Sequence, residues 1–212
     1  SWPEIRASRA AIRAEWKQFL VFGALGMWIC GAVVYLAGQT TTATNIGLIY
    51  AATPVGIALA SSRLTRQPIP GTHWLAMLMA LAGVVFVVVR GDPDVLRSVR
   101  FAAGDLWAVV AALSWVTYSV LNAHWRSVLG PAPRLTCITA GGLLVLLPGT
   151  IWEVASQHYV PGGTALLLMA IGGLLPGFFS YLAYSFMLRE LGAPKAGLIT
   201  YLSPIYVAFS AW

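Results

Sequence analysis

The chain has 212 residues, of which 58% are hydrophobic and only 9% charged. A soluble domain carries about 25% charged residues, so this chain has too few to cover a water-facing surface and reads as an integral membrane protein. Its net charge of +6 does not indicate a nucleic-acid binder, because no basic run lies on a polar folded surface. Basic loops on one side of a bilayer account for the excess.

Seven apolar segments follow in chain order, at about 19–37, 43–60, 74–89, 106–121, 135–152, 165–188 and 196–212. A spanning helix needs about 20 predominantly apolar residues, with a range of roughly 17–25. The third and fourth segments are short, and interfacial His73, Trp74 and Trp107 complete them. All seven are too long and too uniformly apolar for alternating barrel strands, so the expected fold is an all-α membrane bundle. The chain opens without Met in a polar segment resembling an inter-helix loop and stops at Trp212 within an apolar run. The expectation is a fragment of a longer protein.

The loops supply orientation. Arg6, Arg9, Arg13, Lys17, Arg63, Arg66, Arg126, Arg134, Arg189 and Lys195 fall on one side of the alternating spans. Only Arg90, Arg97 and Arg100 fall on the other, beside Asp92, Asp94 and Asp105. The basic side is therefore expected to be cytoplasmic, with the first span running outward.

An internal repeat agrees with that orientation. The stretch from Thr44 reads TNIGLIYAATPVGIALAS, and the stretch from Pro194 reads PKAGLITYLSPIYVAFSA. Without a gap, Gly47-Leu48-Ile49 falls on Gly197-Leu198-Ile199, Thr53-Pro54 on Ser203-Pro204, and Ala58 on Ala208. The same offset puts Gly23 on Gly173 and Leu25 on Leu175. An offset of five spans, an odd number, makes the copies run in opposite directions. Weak internal symmetry between inverted halves marks many secondary transporters.

Prolines 54, 148, 176 and 204 sit within apolar segments. Inside a membrane, neighbouring helices can satisfy the carbonyls that a proline frees. Pro54 and Pro204 occupy matching repeat positions, where a symmetric pair of hinges is expected. Gly23, Gly26 and Gly31 in the first span, with Gly172, Gly173 and Gly177 in the sixth, read as close-packing positions. Cys30 and Cys137 are isolated within apolar segments and read as small buried residues. His73, His124 and His158 fall at span ends or in loops, and no metal-ligand or cofactor pattern is present.

No acid or base lies at the centre of any span, which argues against a carboxylate-driven proton antiporter. Aromatic and hydroxyl residues are there instead. Ser114, Tyr118 and Asn122 share helical spacing in the fourth span, as do Ser180 and Tyr184 in the sixth, and Tyr50 and Tyr201 flank the repeat prolines. Near the inferred centre, Tyr50, Pro54, Ser114, Tyr118, Tyr184, Tyr201 and Pro204 form the candidate solute site, offering stacking and hydrogen bonds with little formal charge.

Several motifs carry a family resemblance. They are Tyr35-Leu36-Ala37, Ala52-Thr53-Pro54, Arg66-Gln67-Pro68, Trp74, Ala82-Gly83-Val84-Val85, Gly104-Asp105-Leu106, Ala111-Ala112-Leu113-Ser114-Trp115 and Tyr118. In order and spacing they resemble the drug/metabolite transporter superfamily, in its EamA-type branch of ten-helix permeases. Thr65 and Ala76 depart from that pattern, which commonly has Glu and Gly there. The resemblance implies that the seven spans are family helices three to nine. Residues 1–90 would be the later part of the first repeat, 91–103 the link, and 104–212 the second repeat without its last helix. It also implies a multi-pass permease of a bacterial inner membrane, with a lipid bilayer and a small solute as partners. The expected activity is export of amino acids or related amphipathic metabolites by alternating access. A seven-helix receptor or sensor is the alternative, but it leaves the inverted repeat unexplained. A retinal protein would need a lysine in mid-helix, whereas Lys195 lies at a helix start. An enzyme is not expected, since no nucleophile and base face each other within a span.

Overall fold

A computed structural model describes residues 9–89, 91–98, 100–125, 127–157 and 162–202. Helix α1 spans Arg9–Gly38, α2 Ala43–Thr65, α3 Gly71–Val88 and α5 Ala103–His124. A short α4, Pro93–Ser98, lies between α3 and α5. Helix α6 covers Pro131–Gln157. Helices α7 (Gly163–Gly172) and α8 (Phe179–Gly197) are joined by a wide π-helical stretch, Gly173–Phe178, and α8 runs on into a 3₁₀ turn, Leu198–Leu202. Among the described residues, five helices are long and apolar enough to cross a membrane. No strand occurs among the described residues.

Two boundaries differ from the sequence reading. Residues 9–18, read as loop, are helical and continue into the first span. Ala, Arg, Glu, Lys and Gln are good helix formers, and Ala11 and Ile12 pack onto the core. The fourth span is not short: α5 has 22 residues. Its first turn is fixed by Asp105, whose Oδ2 accepts from the Ala102 N–H at 2.8 Å. Asp105 is buried, and it also accepts from the Asn45 side chain at 3.0 Å and from the Thr41 hydroxyl. That carboxylate ties the α1–α2 turn to the head of α5. The Thr42 hydroxyl caps α2 by accepting from Asn45 N–H at 3.1 Å.

The sixth segment ends where glycine permits a left-handed residue. Gly192 has φ 76° and ψ 166°, breaking the helix before Pro194 begins the next run. Residues 203–212, including the repeat partner Pro204, lie outside the described residues. The two wide turns begin at Ala24 and Gly173, within a residue of the repeat offset.

Helix α5 is the hub. It packs against α1, α2 and α8; α6 packs on α1 and α8, and α3 lies outside α2. Half of the most apolar window of α5 is buried, against 11% for α3. Helices α1 and α6 touch backbone to backbone: a Cβ on Gly23 would lie 2.2 Å from Gly142 N, and one on Gly141 2.5 Å from Phe19 O. Gly26 similarly admits the Tyr118 ring, at 2.9 Å from its would-be Cβ, whereas Gly31, Gly172 and Gly173 have open space. The outward faces carry exposed Leu143, Leu144, Leu167, Leu168 and Phe186, as lipid-facing surface requires.

Candidate transport pathway

The centre of the bundle is an aromatic knot on α5 and α8. Trp115 stacks between Tyr118 (centroids 5.4 Å) and Tyr184 (5.0 Å), with Tyr181 edge-on at 5.8 Å. Phe22 meets Tyr118 edge-on at 5.8 Å. Such pairs contribute about 0.5–1.5 kcal/mol each beyond area burial.

The hydroxyls around the knot are committed to structure. A π-helical turn shifts backbone pairing from its usual partners and leaves carbonyls to be satisfied from outside the helix. In α1, the Leu25 carbonyl accepts from Ser114 Oγ at 2.8 Å, and the Gly26 carbonyl from Tyr181 Oη at 2.6 Å. Tyr184 Oη donates to Ser119 Oγ at 2.8 Å, which in turn donates to the Trp115 carbonyl at 2.8 Å. Tyr118 is fully buried. Although Ser185 and Asn122 lie near it, its Oη makes no hydrogen bond of ordinary geometry.

Trp115 also lines an outer cavity of about 370 Å³. Its walls include Cys30, Tyr50, Thr53, Val84, Trp115 and Tyr201. Cys30 Sγ is 3.8 Å from Tyr50 Oη. The Thr53 hydroxyl donates to the Tyr50 carbonyl at 2.7 Å, closing the step in α2 at Ala52. Tyr201 Oη is buried without a partner.

A second, inner cavity of about 510 Å³ lies further along the same elements, toward the basic end of the molecule. Ala58, Ser61 and Thr65 of α2 line it with His73 and Met77 of α3, His124 of α5, and Lys195 after the Gly192 break. Helix α2 thus contributes residues 47–53 to one cavity and 58–65 to the other. Between them Pro54 and Ile57 are almost wholly buried. Gly197 closes over Ile57, and a Cβ placed there would lie 3.1 Å from Ile57 Cδ1. Pro54, Ile57 and Gly197 thus pack together at the part of α2 between the two linings.

The structure therefore divides the seven candidate residues. Tyr50 and Tyr201 line the outer cavity. Pro54 is buried between the two linings. Ser114, Tyr118 and Tyr184 line neither cavity, and both tyrosines stack on Trp115. Pro204 is outside the described residues. Sequence reasoning passed over Trp115, which belongs to both knot and outer cavity, and read Cys30 as mere filling. His73 and His124, read as interfacial, line the inner cavity. Of the paired repeat glycines, Gly47 lines the outer cavity and Gly197 packs on Ile57. Among the described residues no His, Cys, Asp and Glu gather into a metal-binding cluster.

The chain belongs to the EamA-like transporter family, whose sequence profile matches residues 2–89 and 102–212. It is similar to the uncharacterized transporter YdfC of Bacillus subtilis (strain 168), with 27% identity over 195 residues, covering 91% of this chain and 61% of that protein. It is also similar to the uncharacterized transporter YyaM of the same strain, with 21% identity over 201 residues, covering 93% of this chain and 65% of that protein. The chain thus spans less than two thirds of the length of either relative. No solved structure matches it. Family membership and the apolar helices together make it a multi-pass protein of the cell membrane.

Proposed function

We propose that the protein exports small amphipathic metabolites, amino acids or related compounds, by alternating access along the column of two cavities. The observation that carries this reading is the packing of Pro54, Ile57 and Gly197. Two cavities stack along α2, α3, α5 and the 193–202 segment, toward opposite ends, and these three residues would act as a plug between them. A carrier needs such a barrier at the meeting of its repeats, beside interrupted helices. Here α2 is interrupted at Ala52, and the segment that pairs with it passes into a 3₁₀ turn at Leu198–Leu202.

The lining suggests the cargo. Described walls of both cavities carry apolar, hydroxyl and imidazole groups with Lys195, and no acidic side chain. That suits a solute with an apolar body and at most one anionic group. The two halves, 1–90 and 104–212, would rock against each other around the column as inverted repeats.

The test is counterflow in proteoliposomes with a panel of neutral amino acids and small amphipathic carboxylates. The expected result is saturable flux of at least one compound, weakened by Tyr50→Phe and by Tyr201→Phe. Absence of saturable flux across the panel, or flux indifferent to both substitutions, would overturn the reading. Orientation has its own check. A cysteine at Gln67, in a background lacking Cys30 and Cys137, should resist an impermeant thiol reagent on intact cells. Ready labelling there would reverse the topology.

A further inference from the structure

A third cavity, of about 370 Å³, lies between the C-terminal end of α5, the N-terminal end of α6 and α8. It shares only Ala123 with the inner cavity and stands apart from the transport column. Its described walls hold two arginines, Arg134 and Arg189, with Ser185, Asn122 and Ser127, and no acid.

Arg134 is held in place. Its Nη1 donates to the Asn122 carbonyl at 3.0 Å and its Nη2 to the Trp125 carbonyl at 2.7 Å. The guanidinium lies over the Phe22 ring, 5.2 Å from its centroid. The cation thereby caps the end of α5, where the helix dipole favours positive charge. Five N–H donors are available on a guanidinium, so these two bonds leave donors over, and Nε is buried without a partner. Ser185 Oγ, on the facing helix, is also buried and makes no hydrogen bond of ordinary geometry, with the Tyr118 hydroxyl nearby. Glu15, whose field reaches Arg134, accepts from Ser127 Oγ at 2.6 Å and lines none of the cavity. Arg189 brings a second, exposed guanidinium to the same space.

A fixed guanidinium, an exposed one and a buried hydroxyl around one cavity make a receptor for an oxyanion, since bonds from arginine to phosphate oxygens are bidentate and charge-assisted. The charge bias puts this cavity on the cytoplasmic side, at the level of helix ends. Basic pockets between spanning helices on that side bind the headgroups of anionic lipids. We propose that Arg134, Arg189 and Ser185 form a phosphate-binding site, occupied by the headgroup of an anionic phospholipid or by a free phosphate.

The experiment uses the protein purified in detergent and analysed by native mass spectrometry and thermal unfolding. Three additions are compared: phosphatidylglycerol, phosphatidylcholine and inorganic phosphate at matched ionic strength. Phosphatidylglycerol retained at one copy, with a rise in unfolding temperature that phosphatidylcholine does not give, supports a lipid site. A rise with inorganic phosphate alone assigns the site to a soluble anion. No selective response to either phosphate source overturns the proposal.

Arg189→Gln is the main variant, because the exposed side chain carries no packing. It should weaken phosphate-source binding roughly tenfold, the loss expected for one charge-assisted bond. Ser185→Ala should weaken it severalfold. Arg66→Gln, an equal charge change outside the cavity, should leave it unchanged. Equal losses for Arg66→Gln and Arg189→Gln would reduce the effect to net charge and overturn the site.

Discussion

Two sets of tyrosines surround Trp115, and they behave as different kinds of residue. Tyr118 and Tyr184 stack with Trp115 in the knot and Tyr181 meets it edge-on, and two of their hydroxyls hold neighbouring structure together. Tyr50 and Tyr201 stand at a cavity wall, one against a thiol and the other with an unpartnered hydroxyl. A tyrosine in mid-span is thus not in itself a sign of a solute site. What decides its role is whether packing or a cavity faces the ring, and whether a distorted backbone nearby has already claimed the hydroxyl.

The largest expected effect belongs to the knot. Tyr118→Ala should destabilise the protein by about 3–5 kcal/mol, the usual cost of deleting a buried large aromatic ring. Thermal unfolding in detergent measures it, and a loss comparable to that of Tyr50→Ala would erase the distinction between the two sets. Tyr181→Phe comes next. It leaves the Gly26 carbonyl in the wide turn without its partner, which should cost about 1–3 kcal/mol. A stability equal to the parent's would mean that the α1 distortion needs no external hydrogen bond.

Smaller effects should appear in function instead. Tyr50→Phe and Tyr201→Phe should each weaken solute affinity by about 1 kcal/mol, roughly fivefold, with unfolding temperature unchanged. Concentration dependence of counterflow reads the affinity. A drop in stability with unaltered affinity would move these tyrosines into the structural set. The smallest effect is expected for Tyr118→Phe, which removes a hydroxyl that makes no hydrogen bond. Stability and flux should both hold, and a clear loss of flux would return Tyr118 to the solute path.

Much of the architecture was legible in the sequence, because the bilayer demands long apolar helices and punctuates them with basic loops. The break between the sixth and seventh segments is marked by Gly192 and Pro194, and the structure turns there. The helical stretch 9–18 was hidden, since a polar extension has no hydropathy signal and is held by Ala11, Ile12 and the Glu15–Ser127 bond across 112 positions. The candidate site was legible only as a composition of hydroxyls and rings. Sorting them required knowing that α1 widens at Ala24–Ala32 and presents carbonyls to Ser114 and Tyr181. No periodicity announces that widening. The plug residues were partly visible, because Pro54 and Gly197 stand in the repeat, but Ile57 reads as one more apolar residue until its contact with Gly197 is seen.

The central claim is that the Ile57–Gly197 closure must open for solute to pass. A Cβ built on Gly197 lies 3.6 Å from Ile57 Cβ, within the separation of about 3.5–4.5 Å that a disulfide spans. The double variant Ile57→Cys/Gly197→Cys, made without Cys30 and Cys137 and reconstituted in proteoliposomes, should cross-link on mild oxidation. Counterflow should stop as the disulfide forms and return on reduction. Undiminished flux with the cross-link complete would contradict the account.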